Sequence, residues 1–184
     1  MKSRIYHTET EEETIALGET LAAELPAKMV VLLIGQLGAG KTTLAKGIVK
    51  GLGAANPDDV SSPTFTLIHE YIPPAPPHEY IPLALPHQNI PLASPTLMSR
   101  DRKGAVVYHV DLYRLDTPAQ VATLGLDEIF DRPAVVLIEW GERFPELMPK
   151  DRIEIRIRAT DENSREIDVR STMELAPPPC KDSA

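Results

Sequence analysis

The spacing of apolar residues divides the chain into alternating helical and extended stretches. Leu17, Leu21 and Leu25 recur every four residues behind Thr10-Glu11-Glu12-Glu13. This predicts a helix over about 11–25, opened by a capping box in which Thr10 accepts from the first turn and Glu13 reaches back, and ended by Pro26. Val30 to Ile34 is a continuous apolar run rich in β-branched residues and reads as a strand buried on both faces. A second helix is expected from Lys41, with Leu44, Ile48 and Leu52 on one face and Gly51 and Gly53 at its end. Thr64–Tyr71, Ala105–Tyr113 and Ala134–Ile138 read as further strands, and Thr117-Pro118 as a helix start. Ile153, Ile155 and Ile157, then Ile167 and Val169, alternate with charged residues; joined through Thr160–Ser164, they predict an antiparallel hairpin with one wet face. The mixture points to an α/β fold with a partly parallel sheet.

Composition changes this picture in one region. Of 18 prolines, eight lie in three copies of a nine-residue unit: His-Glu-Tyr-Ile-Pro-Pro-Ala-Pro-Pro at 69–77, His-Glu-Tyr-Ile-Pro-Leu-Ala-Leu-Pro at 78–86 and His-Gln-Asn-Ile-Pro-Leu-Ala-Ser-Pro at 87–95. Three more fall in 176–184, which leaves seven for the other 148 residues, close to the ordinary share of about 5%. Prolines at that spacing remove the donors a strand ladder needs, so the repeats are expected to be extended, polyproline-II-like or disordered. The expected organisation is one domain over 1–175, with this insertion at about 69–99 and a disordered tail at 176–184.

Charge and cysteine content narrow the function. A net charge of −8 disfavours non-specific nucleic-acid binding, so any such role would be local or run through a partner. One cysteine, Cys180, excludes an internal disulfide or a cysteine-based metal cluster. The longest apolar run is six residues, Met29 to Ile34, far short of the roughly 20 that span a membrane. Met1–Arg4 leads into an acidic stretch rather than an apolar signal core. A cytoplasmic protein is expected.

The chemistry concentrates where the first strand meets the second helix. Gly35-Gln36-Leu37-Gly38-Ala39-Gly40-Lys41-Thr42 matches the phosphate-loop pattern G-x-x-x-x-G-K-[ST] in the strand–loop–helix setting that pattern requires. Its glycines let successive backbone N–H groups turn inward around a phosphate, and the helix N-terminus adds partial positive charge. Lys41 would charge-pair with the β- and γ-phosphates, and the Thr42 hydroxyl could ligate Mg²⁺. Such a site needs a carboxylate at a neighbouring strand end, and spacing leaves Asp111 and Glu139 both open. Ser61 to Thr66 is dense in hydroxyls and could sense a γ-phosphate, with Thr64 among them. His109, inside a strand, reads as a satisfied core histidine, Trp140 as a packing residue, and Arg156 and Arg158 as a solvated strand face. A kinase acting on a small metabolite is the alternative, though the arginines in the relevant half, Arg114, Arg132 and Arg143, are scattered. A non-catalytic ATP-dependent binding module is a third reading.

Together these residues resemble the TsaE (YjeE) family of small bacterial P-loop ATPases, which serve formation of N6-threonylcarbamoyladenosine at position 37 of tRNA. The resemblance runs through Glu12-Glu13-Thr14, Leu17-Gly18, Gly35 to Thr43, Ser62 to Leu67, His109 to Leu115, Leu124-Gly125 and Ile138-Glu139-Trp140. It implies a P-loop NTPase-like three-layer sandwich, with a mainly parallel sheet and an antiparallel C-terminal hairpin. It implies ATP on Gly38, Ala39, Gly40, Lys41, Thr42 and Thr43, and Mg²⁺ on Thr42 and Glu139. Asp111 would be needed for hydrolysis, with Lys41 and Thr64 also catalytic and Ser62 to Phe65 as the switch. Glu11 and Ser164-Arg165 would flank the adenine. In this family hydrolysis supports TsaD with TsaB, which transfer the threonylcarbamoyl group; tRNA would be met only through that complex. Gln36 departs from the family, which commonly has an acid there, and the insertion separates the switch from the Asp111 strand.

Overall fold

The computed structural model describes residues 2–74 and 104–172. Most of the repeats, the Cys180 tail and the expected 175/176 boundary lie outside them. Seven strands, β1 (Lys2–Thr8), β2 (Met29–Ile34), β3 (Ile68–Tyr71), β4 (Val106–Asp111), β5 (Ala134–Glu139), β6 (Ile153–Ala159) and β7 (Arg165–Ser171), form one sheet in the order β1-β7-β6-β2-β5-β4-β3. The central four strands, β6, β2, β5 and β4, are parallel. Each edge adds antiparallel pairing: β7 and β1 on one side, β3 on the other.

Alternation along the central strands divides the core between two faces. Val31, Leu33, Val135 and Leu137 face α1 (Glu11–Ala22) and α2 (Lys41–Gly51). Val30, Leu32, Val136 and Ile138 face the other side, where α3 (Pro118–Ala122) and α4 (Leu126–Asp131) contribute Val121, Leu126 and Ile129. The fold is thus a three-layer α/β sandwich with a parallel centre. The predicted hairpin is present, with Ile153, Ile155, Ile157, Ile167 and Val169 buried and Thr160 N–H donating to Ser164 O at 3.0 Å.

Helices α1 and α2 pack backbone against backbone. A Cβ on Gly47 would lie 2.0 Å from the Ile15 carbonyl oxygen, and one on Gly18 2.6 Å from the Leu44 oxygen. Ion pairs Lys46–Glu11 (3.3 Å) and Lys50–Glu19 (2.7 Å) flank this contact.

Several elements differ from the sequence expectation. Strand β1 was not foreseen. The first helix ends at Ala22, before the expected Leu25, with Glu24 and Leu25 closing a turn onto the Leu21 and Ala22 carbonyls. In its cap, Thr10 accepts from Glu13 N–H as expected, but the Glu13 carboxylate reaches one residue further, to Glu9 N–H at 2.7 Å. Residues 64–67 form a turn in place of the expected strand start. The Leu67 N–H donates to the Pro63 oxygen at 2.6 Å, and Leu67 sits at φ 67°, a left-handed conformation no strand tolerates. The first repeat begins inside the sheet: His69 and Tyr71 in β3 pair with His109 and Val107. The chain leaves β3 from Tyr71, at the end of the β3–β4 ladder away from Asp111.

Candidate active site

The loop between β2 and α2 takes the shape its glycines allow. Gly38 and Gly40 have φ of 76° and 103°, the region that favours glycine. A Cβ on Gly35 would lie 2.5 Å from the Ile157 carbonyl oxygen, so β6 forms a wall behind the loop. Gly40 serves as N-cap, leaving the first amides of α2 without a side-chain cap. A helix start in that state is a ready anion site.

Register brings the carboxylates to it. Leu33, Glu139 and Asp111 stand level across β2, β5 and β4, so both acids sit where β2 gives way to the loop. Both are buried. Lys41, Thr42, Thr43, Gly38, Ser62, Thr64, Asp111 and Glu139 converge on one pocket of about 330 Å³. Ala39, in the same loop, is buried and does not line the pocket.

Two hydrogen-bond clusters meet in this pocket. In the first, the Thr42 hydroxyl donates to Glu139 Oε1 at 2.8 Å, and His109 Nε2 lies 3.0 Å from the same oxygen. A carboxylate only accepts, so Nε2 of His109 is the donor in this contact. In the second, Asp111 Oδ2 accepts from Ser62 (2.8 Å) and Thr64 (2.6 Å), while Oδ1 accepts from the Tyr113 N–H (2.9 Å). Thus Asp111 holds the hydroxyl-rich segment in place, and Glu139 belongs to the loop.

Lys41 is folded back. Its ammonium donates to the Gly35 and Gln36 oxygens at 2.9 and 3.0 Å and stands 4.2 Å from the centre of the Trp140 ring. Burial pushes it below the ordinary lysine range, against the opposing pull of Glu139, Glu142 and Asp111. Trp140 therefore does more than pack: it offers a cation its face, from a left-handed backbone at φ 64°. Gln36 contributes through its backbone oxygen, which any residue would supply.

The outlying predicted residues do not line the pocket. Glu11, at the start of α1, pairs with Lys46. Ser164 closes the β6–β7 turn through its carbonyl. Arg165 comes closer: its Nε would lie 3.3 Å from a Cβ on Gly40. The arginines weighed for a kinase lid are engaged elsewhere. Arg114 stacks over Phe65 at 4.0 Å, Arg132 donates to the Tyr108 hydroxyl, and Arg143 to the Tyr113 carbonyl. Arg156 and Arg158 pair with Glu154 and Glu166 on the wet face.

His109, Tyr113 and Glu142 were not anticipated as parts of the site. His109 is fully buried, yet its Nδ1 has no hydrogen-bond partner among the described residues, so it is not the satisfied core histidine expected. Glu142 Oε2 is likewise buried without one, and burial raises that carboxyl above its usual value.

The family model described as "Threonylcarbamoyl adenosine biosynthesis protein TsaE" matches residues 8–81 and 79–167. The chain belongs to the TsaE family. It is 34% identical over 167 residues to the tRNA threonylcarbamoyladenosine biosynthesis protein TsaE of Bacillus subtilis, covering 91% of this chain and 85% of that one. It is 37% identical over 162 residues to the protein of the same name from a Nostoc species, covering 86% and 80%. Among solved structures, Bacillus subtilis YdiB superposes with a TM-score of 0.63 at 29% identity, covering 94% of this chain and 87% of that one. Membership of the TsaE family places this protein in tRNA threonylcarbamoyladenosine biosynthesis. The two matched stretches of the TsaE model meet inside the second nonapeptide. Among the described residues no helix is long and apolar enough to cross a membrane.

Proposed function

We propose that the protein is a Mg²⁺-dependent ATPase acting as an accessory to the TsaB–TsaD complex, without itself transferring the threonylcarbamoyl group. The observation that carries this reading is the 2.8 Å bond from Thr42 to Glu139 at the open N-terminus of α2. Thr42 spends its only proton on Glu139, which leaves its oxygen lone pairs free for a cation. No group of three or more His, Cys, Asp or Glu among the described residues is placed to hold a metal. One hydroxyl and one carboxylate beside a phosphate cradle instead fit Mg²⁺, which keeps waters and phosphate oxygens in its shell. When bound, Mg²⁺ supplies positive charge to the β- and γ-phosphate oxygens.

The chain's own groups do the rest. The loop amides and Lys41, released from the Gly35 and Gln36 carbonyls, bind the phosphates. Asp111 orients the attacking water at the γ-phosphate, and Ser62 and Thr64, now bonded to it, exchange partners as that phosphate arrives. Glu11 and Arg165 flank the base. Leu37 and Tyr113, which line the pocket, are exposed, as is Phe65, the residue after Thr64. An apolar rim beside a catalytic pocket suits a protein surface, and the net charge of −8 favours contact with the enzyme pair over contact with tRNA.

Phosphate release, measured alone and with the TsaB–TsaD pair, tests this in wild type, Lys41→Ala and Glu139→Ala. Stimulation by the pair that both substitutions abolish is expected. Phosphate transferred to an added metabolite would establish the kinase alternative, and nucleotide binding without turnover in any mixture would reduce the protein to a binding module.

A further inference from the structure

We infer that His109 is a positioning residue for Glu139: its Nε2–H pins one carboxylate oxygen, so that the other is the one presented to a divalent cation beside Thr42. The inference rests on the cation site proposed above. His109 lies in β4 two residues before Asp111, and parallel pairing sets it opposite Leu137, two residues before Glu139. The imidazole therefore reaches along the sheet toward the end of β5, where Nε2 meets Oε1 at 3.0 Å.

The torsion at the end of a glutamate side chain is broad and nearly two-fold, so one hydrogen bond leaves the carboxylate plane free to turn. Thr42 supplies one donor and His109 the second, both on Oε1. With two donors on a single oxygen the plane is set and Oε2 is left unclaimed by either donor. Burial makes His109 a costly way to fill this position, because Nδ1 meets no hydrogen-bond partner among the described residues. Its neighbours Val107, Val110 and Leu137 are fully buried and aliphatic, and an aliphatic residue at 109 would fill the space without an orphaned nitrogen. What the imidazole adds is the Nε2–H. Groups that orient a metal's ligands from behind typically change metal affinity by about 10–100-fold when removed.

The test is isothermal titration calorimetry of a non-hydrolysable ATP analogue, in Mg²⁺ and in EDTA, on wild type, His109→Leu and His109→Gln. Wild type is expected to bind more tightly in Mg²⁺. His109→Leu should lose about tenfold of that gain while its affinity in EDTA stays at the wild-type value. His109→Gln, which keeps an N–H on a side chain of similar reach, should recover part of the loss. Adding His109→Leu to Glu139→Gln should cost nothing further, because the imidazole acts through that carboxylate. A full Mg²⁺ gain in His109→Leu overturns the proposal, and so does a parallel loss in EDTA, which would mark a purely structural role. Should His109→Leu not fold, a His109→Gln gain below one tenth of wild type would equally overturn it. Absence of any Mg²⁺ gain in wild type strikes the cation site itself.

Discussion

Gly47→Ala sets two opposing effects against each other. Inside an exposed helix, alanine for glycine would stabilise by about 1 kcal/mol. Here the added Cβ would stand 2.0 Å from the Ile15 oxygen and 2.9 Å from the Gly18 Cα, whereas ordinary contact begins near 3.4 Å. Both obstacles are backbone, so no side chain can swing aside, and α1 and α2 must part by more than 1 Å. Overpacking of a well-filled core costs about 1–3 kcal/mol, and separation also loosens fully buried Leu44 and Ile48. With the clash at the upper end of that range and the propensity gain set against it, the net loss is about 2 kcal/mol. For a protein of this size that corresponds to a fall in Tm of about 4–8 °C. Calorimetric melting of wild type and variant measures it. Because α2 carries Lys41 and Thr42 in its first turn, nucleotide affinity should fall with it. A variant as stable as wild type, or more so, would show that the helices yield freely and that propensity decides the sign.

Three further outcomes follow from the site. Burial raises the Glu142 carboxyl, so the folded state holds that proton to higher pH than the unfolded chain and stability falls as pH rises through the folded value. Glu142→Gln removes that dependence. The difference in denaturation free energy between variant and wild type should therefore shift in the variant's favour between about pH 4 and about pH 8, and a difference constant with pH would contradict it. Trp140 is the single tryptophan and carries the Lys41 ammonium over its ring, so nucleotide binding should change its emission in wild type; an equal change in Lys41→Ala at saturating nucleotide would sever that link. Asp111→Asn weakens three hydrogen bonds to residues 62, 64 and 113, each worth about 1.5–3 kcal/mol when made to a charged group. Faster amide exchange over 61–67 is the expected result, and unaltered exchange would count against Asp111 as the anchor of that segment.

The parallel centre of the fold and the phosphate loop were legible because their signals are local: a run of aliphatic residues, a glycine pattern and a helix with one apolar face. β1 was not, because its exposed Ile5 and inward Tyr6 reverse the usual polarity and its partner lies at the other end of the chain. The strand over 64–67 failed for the opposite reason, as β-favouring residues there are overruled by the Leu67 turn. Asp111 and Glu139 were both readable as strand-end acids. Spacing alone left their division of labour open and only the family resemblance divided it; its physical basis is the register that puts Thr42 against Glu139 and the fold that puts Ser62 and Thr64 against Asp111. His109 opens one of the stretches that carry the family resemblance, but its role was not legible there; that comes from a carboxylate on the neighbouring strand.

The folded-back Lys41 has a consequence for selectivity. An open ring of amides with a free ammonium would attract chloride, sulfate or a lone phosphate as readily as a nucleotide. In this loop the ammonium is already engaged with two carbonyls and an aromatic face, so an incoming anion must outbid those contacts before it gains anything from the lysine. A small anion offers one group in exchange, whereas a polyphosphate offers several at once. The resting loop thus imposes a threshold that a chain of phosphates crosses more readily than a single ion.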